Sequence, residues 1–254
     1  MIVAVWGDEK TAKTTLGLTF PKSIKHFDVD LGFQRAAGRF KAEIEAGEIV
    51  TKRYPMPLQM NSRLKGMREL WEEFQKDYYE AATDAKWATL MVDSGTQLYE
   101  LVRLAFLQEK QEAQLKRGLK AGENLRESLL PVEYSEPFAR LDAVYYAAKS
   151  VEKHLVVTHF SRDERMDRVN PVNGNIESVT TGKMELDGYK RTARQVDVVL
   201  YTYAVSSDPK DKNSPQTPWG LVMLSALGVN GLKMVGQRLM EPTYQKLIDL
   251  AEMV

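Results

Sequence analysis

No cysteine occurs in the 254 residues, which excludes disulfides, cysteine-ligated zinc and thiol nucleophiles. Charge of one sign is also missing: Lys+Arg and Asp+Glu are both 35, a formal net charge of +0. That balance argues against a globally basic nucleic-acid coat, though not against a local basic groove. No apolar run approaches the ~20 residues of a membrane span. Repeats, low-complexity tracts and domain linkers are absent, and the first residues already read as a core strand rather than a signal peptide. These absences point to a soluble, cytoplasmic protein. Its length suits one large α/β domain, or one domain with a lid, with ample core.

What is present alternates. Apolar, β-rich runs take turns with helical ones, which predicts a mostly parallel central sheet flanked by helices. Strands are expected over 2–6, 24–29, 87–92, 155–158 and 196–203, and helices over 14–20, 63–82, 96–113, 138–151 and 243–253. The helix over 63–82 carries Leu64, Met67, Leu70, Trp71, Phe74 and Tyr78 on one face, a stripe that reads as core. Residues 41–48 form a short polar segment. Two long segments, 116–137 and 160–194, read as irregular, and loops of such length inside a compact domain are usually functional. The first carries Lys116, Arg117, Lys120 and Arg126; the second carries Arg162, Arg165, Arg168, Lys183, Lys190, Arg191 and Arg194. Taken alone, either cluster is a solvated surface.

The chemistry starts directly after the first strand. Gly7, Asp8, Glu9, Lys10, Thr11, Ala12, Lys13, Thr14 and Thr15 have the form G-x-x-x-x-[G]-K-T of a phosphate loop (Walker A), with Ala12 at the second glycine. Successive N–H groups of such a loop form a nest for polyphosphate. Lys13 is then placed to reach the β- and γ-phosphates, and the Thr14 hydroxyl to ligate Mg²⁺. Alanine lacks glycine's easy access to positive φ, and is tolerated there if φ stays negative. No Asn-Lys-x-Asp guanine reader is present, which favours ATP.

The run 88–94 is an apolar strand ending in Asp93 and Ser94, the form of a Walker B element. Asp93 is expected at the carboxyl end of a strand neighbouring that of the phosphate loop, holding Mg²⁺ partly through water. No glutamate follows it. The second strand offers Asp28 and Asp30 instead, two carboxylates that share a face by period-two alternation. Asp30, nearer the strand end, is the candidate to orient or deprotonate the lytic water; a turn-entry pair before Gly32 is the alternative. His159, at the tip of the strand over 155–158, is expected to sense the γ-phosphate and pass that state to the loop after it.

The order and spacing of these elements resemble the ATPase core of RecA-type recombinases. Asp30 stands where that family has its catalytic glutamate, and His159 where it has a sensing glutamine. Residues 177–183 look like the end of the family's mobile DNA-binding loop, and a second such loop falls within 126–136. The tail, with Gly236-Gln237-Arg238 and residues 241–247, looks like the ending of compact phage-encoded RecA-like ATP-binding proteins linked to single-strand annealing. By the same resemblance, the domain is expected to start at its first core strand, without a preceding oligomerisation segment. The resemblance implies a single RecA-like P-loop NTPase domain over 1–254, core 1–205 and extension 206–254. It implies an ATPase using ATP and Mg²⁺, stimulated by DNA and assembled as a filament or ring on single-stranded DNA. Its expected setting is phage recombination in the host cytoplasm, beside other replication or recombination proteins. Arg126, Arg162, Arg165, Arg168, Lys183, Lys190 and Arg191 become the candidate DNA contacts, and Lys210 and Lys212 candidate cations for a neighbouring subunit's site. A partition, packaging or helicase-type motor, or a nucleotide-dependent switch with little turnover, remains the alternative.

Overall fold

The strand β1 (Ile2–Gly7) is buried at every position, and its alternation divides the interior in two. Ile2, Ala4 and Trp6 enter one apolar cluster, while Val3 and Val5 enter another on the opposite side. The computed structural model describes residues 1–119, 123–169, 174–208, 210–211, 214–227 and 231–253. Among them the chain continues through α1 (Lys13–Gly17), β2 (Ile24–Asp28), α2 (Gln34–Ala37), α3 (Lys41–Glu45), β3 (Ile49–Arg53), α4 (Met67–Thr83), β4 (Thr89–Asp93), α5 (Gly95–Arg117) and α6 (Ser135–Ser150). It then runs through β5 (His154–His159), β6 (Ser161–Val169), β7 (Ile176–Leu186), α7 (Thr192–Gln195), β8 (Val198–Ser206), β9 (Gln216–Ser225), α8 (Gly231–Met234), β10 (Arg238–Met240) and α9 (Tyr244–Met253).

Eight strands form one sheet in the order β10-β9-β8-β1-β5-β4-β2-β3. The six from β8 to β3 pair in parallel, and β9 and β10 continue it antiparallel. Helices α4, α5 and α6 cover one face, where Trp71, Phe74, Tyr78, Leu101, Val102, Leu141 and Val144 pack on Leu90, Val92, Leu155 and Val157. Residues of α1 and α9, with Phe33 and Phe40, cover the other, against Met91, Val156, Val198 and Leu200. The mostly parallel sheet flanked by helices is thus the fold. No described helix is long and apolar enough to cross a membrane.

Several boundaries move for identifiable reasons. The helix expected over 63–82 begins at Met67, because Gly66 turns the chain with φ 79 and the buried Gln108 accepts from the N–H groups of Met67 and Arg68. Leu64 instead joins a satellite cluster with Phe106, Leu107 and Leu129. The polar segment over 41–48 holds the helix α3, and β3 has no counterpart among the expected strands. The largest correction concerns 160–194: this segment is not irregular but carries the hairpin β6–β7, paired antiparallel from Ser161↔Leu186 to Val169↔Ile176. Its strands have no buried face, so they lack the apolar alternation by which strands are recognised.

Candidate functional site

The loop between β1 and α1 is shaped by backbone demands at three positions. Gly7 has φ 149, and a Cβ there would lie 2.0 Å from the Thr202 carbonyl oxygen, so only glycine fits. Lys10 and Ala12 both adopt left-handed conformations, with φ 62 and φ 66. The condition of a negative φ at Ala12 is therefore not met: the backbone there is left-handed, at a strain of ~1–2 kcal/mol for an L-residue. Thr11 steadies the turn, donating from Oγ1 to the Asp8 carbonyl (2.8 Å) and lying 2.7 Å from Thr202 Oγ1.

Lys13 is nearly enclosed. Its ammonium donates to the carbonyls of Gly7 (2.8 Å) and Asp8 (2.6 Å) and lies 5.7 Å from the centre of the Phe160 ring. Burial lowers its pKa, against the opposing pull of Asp93, Asp8, Asp30 and Glu9. Thr14 Oγ1 donates to Asp93 Oδ2 at 2.6 Å, and Thr158 Oγ1 donates to Asp93 Oδ1. Burial alone would raise the Asp93 carboxyl; the nearby His26 and the two hydroxyls outweigh it and hold the pKa below the usual value. Asp93 does not stand on the strand next to β1, as expected, because β5 is inserted between β1 and β4. Its contact with the loop is made by α1, which lies over the sheet on the side where Met91 and Val156 point.

The Asp93 carbonyl accepts from the N–H groups of Val29 (2.6 Å) and Asp30 (3.2 Å), fixing the chain as it leaves β2. Here Asp28, the last residue of β2, and Asp30, beyond its end, part. Asp28 is buried, accepts from the Gly32 N–H at 3.0 Å and has Arg53 Nε at 3.8 Å; burial raises its pKa. Asp30 accepts from the same N–H at 2.7 Å and lines the cavity above the phosphate loop. Burial, then the charge of Asp93, pushes its pKa up to about 6.

That cavity measures ≈ 770 Å³ and is lined by the loop from Glu9 to Thr15, by Asp30, Asp93, Ser94, Gln97, Thr158 and Phe160, and by Arg35 and Arg39. It brings together Lys10, Thr11, Ala12, Lys13, Thr14, Thr15, Asp30 and Asp93, with Gly7 and Asp8 just beneath. His159 is not among them. Strand alternation turns Thr158 toward α1 and His159 to the opposite face, where it is 1% exposed and packed beside Gly95, Leu141, Val144 and Tyr189. Its Nδ1 lies 3.1 Å from the Asp187 carbonyl oxygen, and burial lowers its pKa to about 4. The strand-tip residue that lines the cavity is Thr158, one position earlier. Sequence reading missed it, together with Phe160, Gln97, His26 and Arg35; for Thr158 the signal was there, since only one of two successive strand residues can face the loop.

The proposed DNA contacts scatter. Arg126 is clamped by Glu133, with Nη1 to Oε1 at 2.9 Å, and Arg162 pairs with Glu185 at 2.7 Å and Asp187 at 3.5 Å. Arg191 lies 3.5 Å from Asp142 and over the Phe138 ring. Arg165, Arg168, Lys183 and Lys190 are exposed; the first three lie on the hairpin, where Asp163, Glu164, Asp167 and Glu177 are interspersed and dilute any basic stripe, and Lys190 lies beyond its end. Near its base, Ser161 Oγ donates to Asp8 Oδ1 at 2.5 Å, tying the hairpin to the phosphate loop. Lys210 is exposed between β8 and β9; Lys120 and Lys212 lie outside the described residues.

Among the described residues no group of three or more His, Asp or Glu side chains converges on a point. The hydroxyl of Thr14 and the carboxylate of Asp93, 2.6 Å apart, fit a hard cation that takes its remaining ligands from phosphate oxygens and water.

No protein-family model matches the chain, and no curated protein matches it in sequence. Among solved structures, it is similar to a KaiC-like protein from the hyperthermophilic archaeon Pyrococcus horikoshii OT3, at 12% identity and TM-score 0.45, over 87% of this chain and 77% of that one. It is also similar to the ATPase domain of a second protein, at 9% identity and TM-score 0.41, over 89% and 78% of the two chains. Both likenesses concern the fold alone.

Proposed function

We propose that this chain binds ATP with Mg²⁺ in the cavity above Gly7–Thr15 and hydrolyses it, as a RecA-like ATPase that assembles with copies of itself on single-stranded DNA. The observation that carries the reading is the 2.6 Å contact between Thr14 and Asp93, 79 residues apart in sequence, beside the buried Lys13 in one cavity. That is the arrangement a magnesium–triphosphate requires. The metal, when bound, neutralises charge on the β- and γ-phosphate oxygens.

The chain's own groups do the rest. Lys13 exchanges its backbone carbonyl partners for phosphate oxygens, a stronger, charge-assisted pairing. Thr158 donates to Asp93 and His26 packs against it, which keeps the carboxylate at the place where it would hold the metal. Asp30, with a pKa of about 6, is ionised at neutral pH yet basic enough to accept a proton. It takes the proton of a water whose oxygen bonds to the γ-phosphorus while the bond to the β-phosphate oxygen breaks. Phe160 and Lys13 shield the reacting end from bulk water.

The DNA component rests on the resemblance and on the hairpin's attachment to the loop through Ser161 and Asp8. Phosphate release with and without single-stranded DNA tests both components. Stimulation that falls steeply with added salt and disappears in Lys13→Ala supports the whole reading. Turnover that is indifferent to DNA leaves an ATPase of another kind; turnover that survives Lys13→Ala removes the site.

A further inference from the structure

The cavity has a wall that the reading above does not use. Arg35 and Arg39, four residues apart at the start and just past the end of α2, both line it. Both are exposed, and among the described residues no carboxylate lies within salt-bridge distance of either. Arg35 is nevertheless placed. Its Nε donates to the Gly32 carbonyl at 3.4 Å, and a Cβ added to Gly32 would lie 2.7 Å from Arg35 Nη2 and equally 2.7 Å from Asp30 Oδ1. The guanidinium and the candidate base thus flank the same space beside Gly32, beyond salt-bridge distance of each other, with no side chain between them.

Charge explains why such a cation belongs there. The cavity presents Glu9, Asp30 and Asp93 to a ligand that is itself a polyanion. Lys10, Lys13 and one divalent ion still leave that sum negative, and negative charge shifts further along the phosphate chain as the terminal group is transferred. A guanidinium matches phosphate oxygens with a fork of donors that no ammonium reproduces.

We infer that Arg35 is the catalytic cation of the terminal phosphate, supplied within the chain itself, with Arg39 one turn on adding to the same field. The inference rests on the ATPase reading of the cavity. It removes the need for a neighbouring subunit's lysine such as Lys210.

The experiment measures three quantities on Arg35→Ala, Arg35→Lys and the parent: phosphate release, affinity for ADP, and affinity for ADP with aluminium fluoride. Thermal melts check that each variant folds. Expected for Arg35→Ala is turnover lower by on the order of 100-fold or more, an ADP affinity within a few-fold of the parent, and lost preference for the fluoride complex. Arg35→Lys recovers part of that preference. Mixing Arg35→Ala with Lys13→Ala chains, which still carry Arg35, restores nothing if the arginine serves its own site. Restored turnover in the mixture overturns the inference by showing supply between subunits, as does an Arg35→Ala chain that turns over like the parent. In both outcomes the ATPase reading survives. A parent that neither binds nor hydrolyses ATP sinks both.

Discussion

The His26 imidazole meets the Asp93 carboxylate inside the sheet, with Nε2 3.7 Å from Oδ2 and side chains 0% and 3% exposed. The pairing follows from register: β2 and β4 run parallel with His26 beside Met91 and Asp28 beside Asp93, so His26 and Asp93 lie diagonally on one face. Nδ1 lies 3.1 Å from Thr51 Oγ1, and Nε2 has no hydrogen-bond partner. A group that orients a metal-binding carboxylate typically changes metal affinity by about 10- to 100-fold when removed. His26→Ala should therefore raise the Mg²⁺ concentration needed for half-maximal phosphate release by about tenfold or more. An unchanged Mg²⁺ dependence in His26→Ala would show that Thr14 and Thr158 alone hold Asp93.

Ala12 gives a prediction whose sign depends on backbone geometry. At an ordinary site an alanine-to-glycine change loses ~0.5–1 kcal/mol through the flexibility of the unfolded chain. At φ 66 it also releases the left-handed strain of ~1–2 kcal/mol. Ala12→Gly should leave stability unchanged or raise it by up to about 1.5 kcal/mol, and Ala12→Val should destabilise the protein and weaken nucleotide binding. Thermal melts of the two variants suffice, and a clear loss for Ala12→Gly contradicts the left-handed loop.

How far the sequence could be read depended on whether a residue's neighbours were local. The phosphate loop was legible because its strand, turn and helix are contiguous, and Asp93 because an apolar strand ends there. Which of Thr158 and His159 faces the loop depends on register against β1 and β4, a long-range fact that slips by one residue without any local signal. The insertion of β5 beside β1 was hidden for the same reason. The hairpin β6–β7 was missed because it buries no face, and Arg126 looked available because its partner Glu133 lies seven residues on, across an irregular stretch.

Asp30 sets the pH dependence. Its pKa is raised from 3.8 to about 6, so between those values the folded chain holds a proton that the unfolded chain has lost. Stability should therefore fall as pH rises from about 4 to about 6 and level off above. Asp28, also raised by burial, acts in the same direction. Asp30→Asn should flatten part of that slope when melting temperature is followed against pH in chelator, which keeps metal from competing. In the parent, phosphate release should climb across the same pH range as the base ionises. A variant whose slope matches the parent's would show that Asp30 titrates normally.

Arg126 and Glu133 offer a test that separates structure from DNA contact. Glu133 accepts from the Arg126 guanidinium and from the Leu130 N–H at 2.8 Å, and these donors lower its pKa to about 2. The pair pins the stretch before α6, while the Gln111 amide holds the Arg126 carbonyl at 2.6 Å and Gln114 accepts from its N–H at 3.1 Å. Arg126→Ala should thus lower the melting temperature and leave the salt dependence of DNA binding unchanged. Removing a side chain that contacts DNA phosphate should reduce that slope by about one, the result expected for Lys183→Ala if the hairpin holds the strand. If Arg126→Ala flattens the salt dependence at constant stability, the ion pair opens to bind DNA and the assignment of Arg126 as structural is wrong.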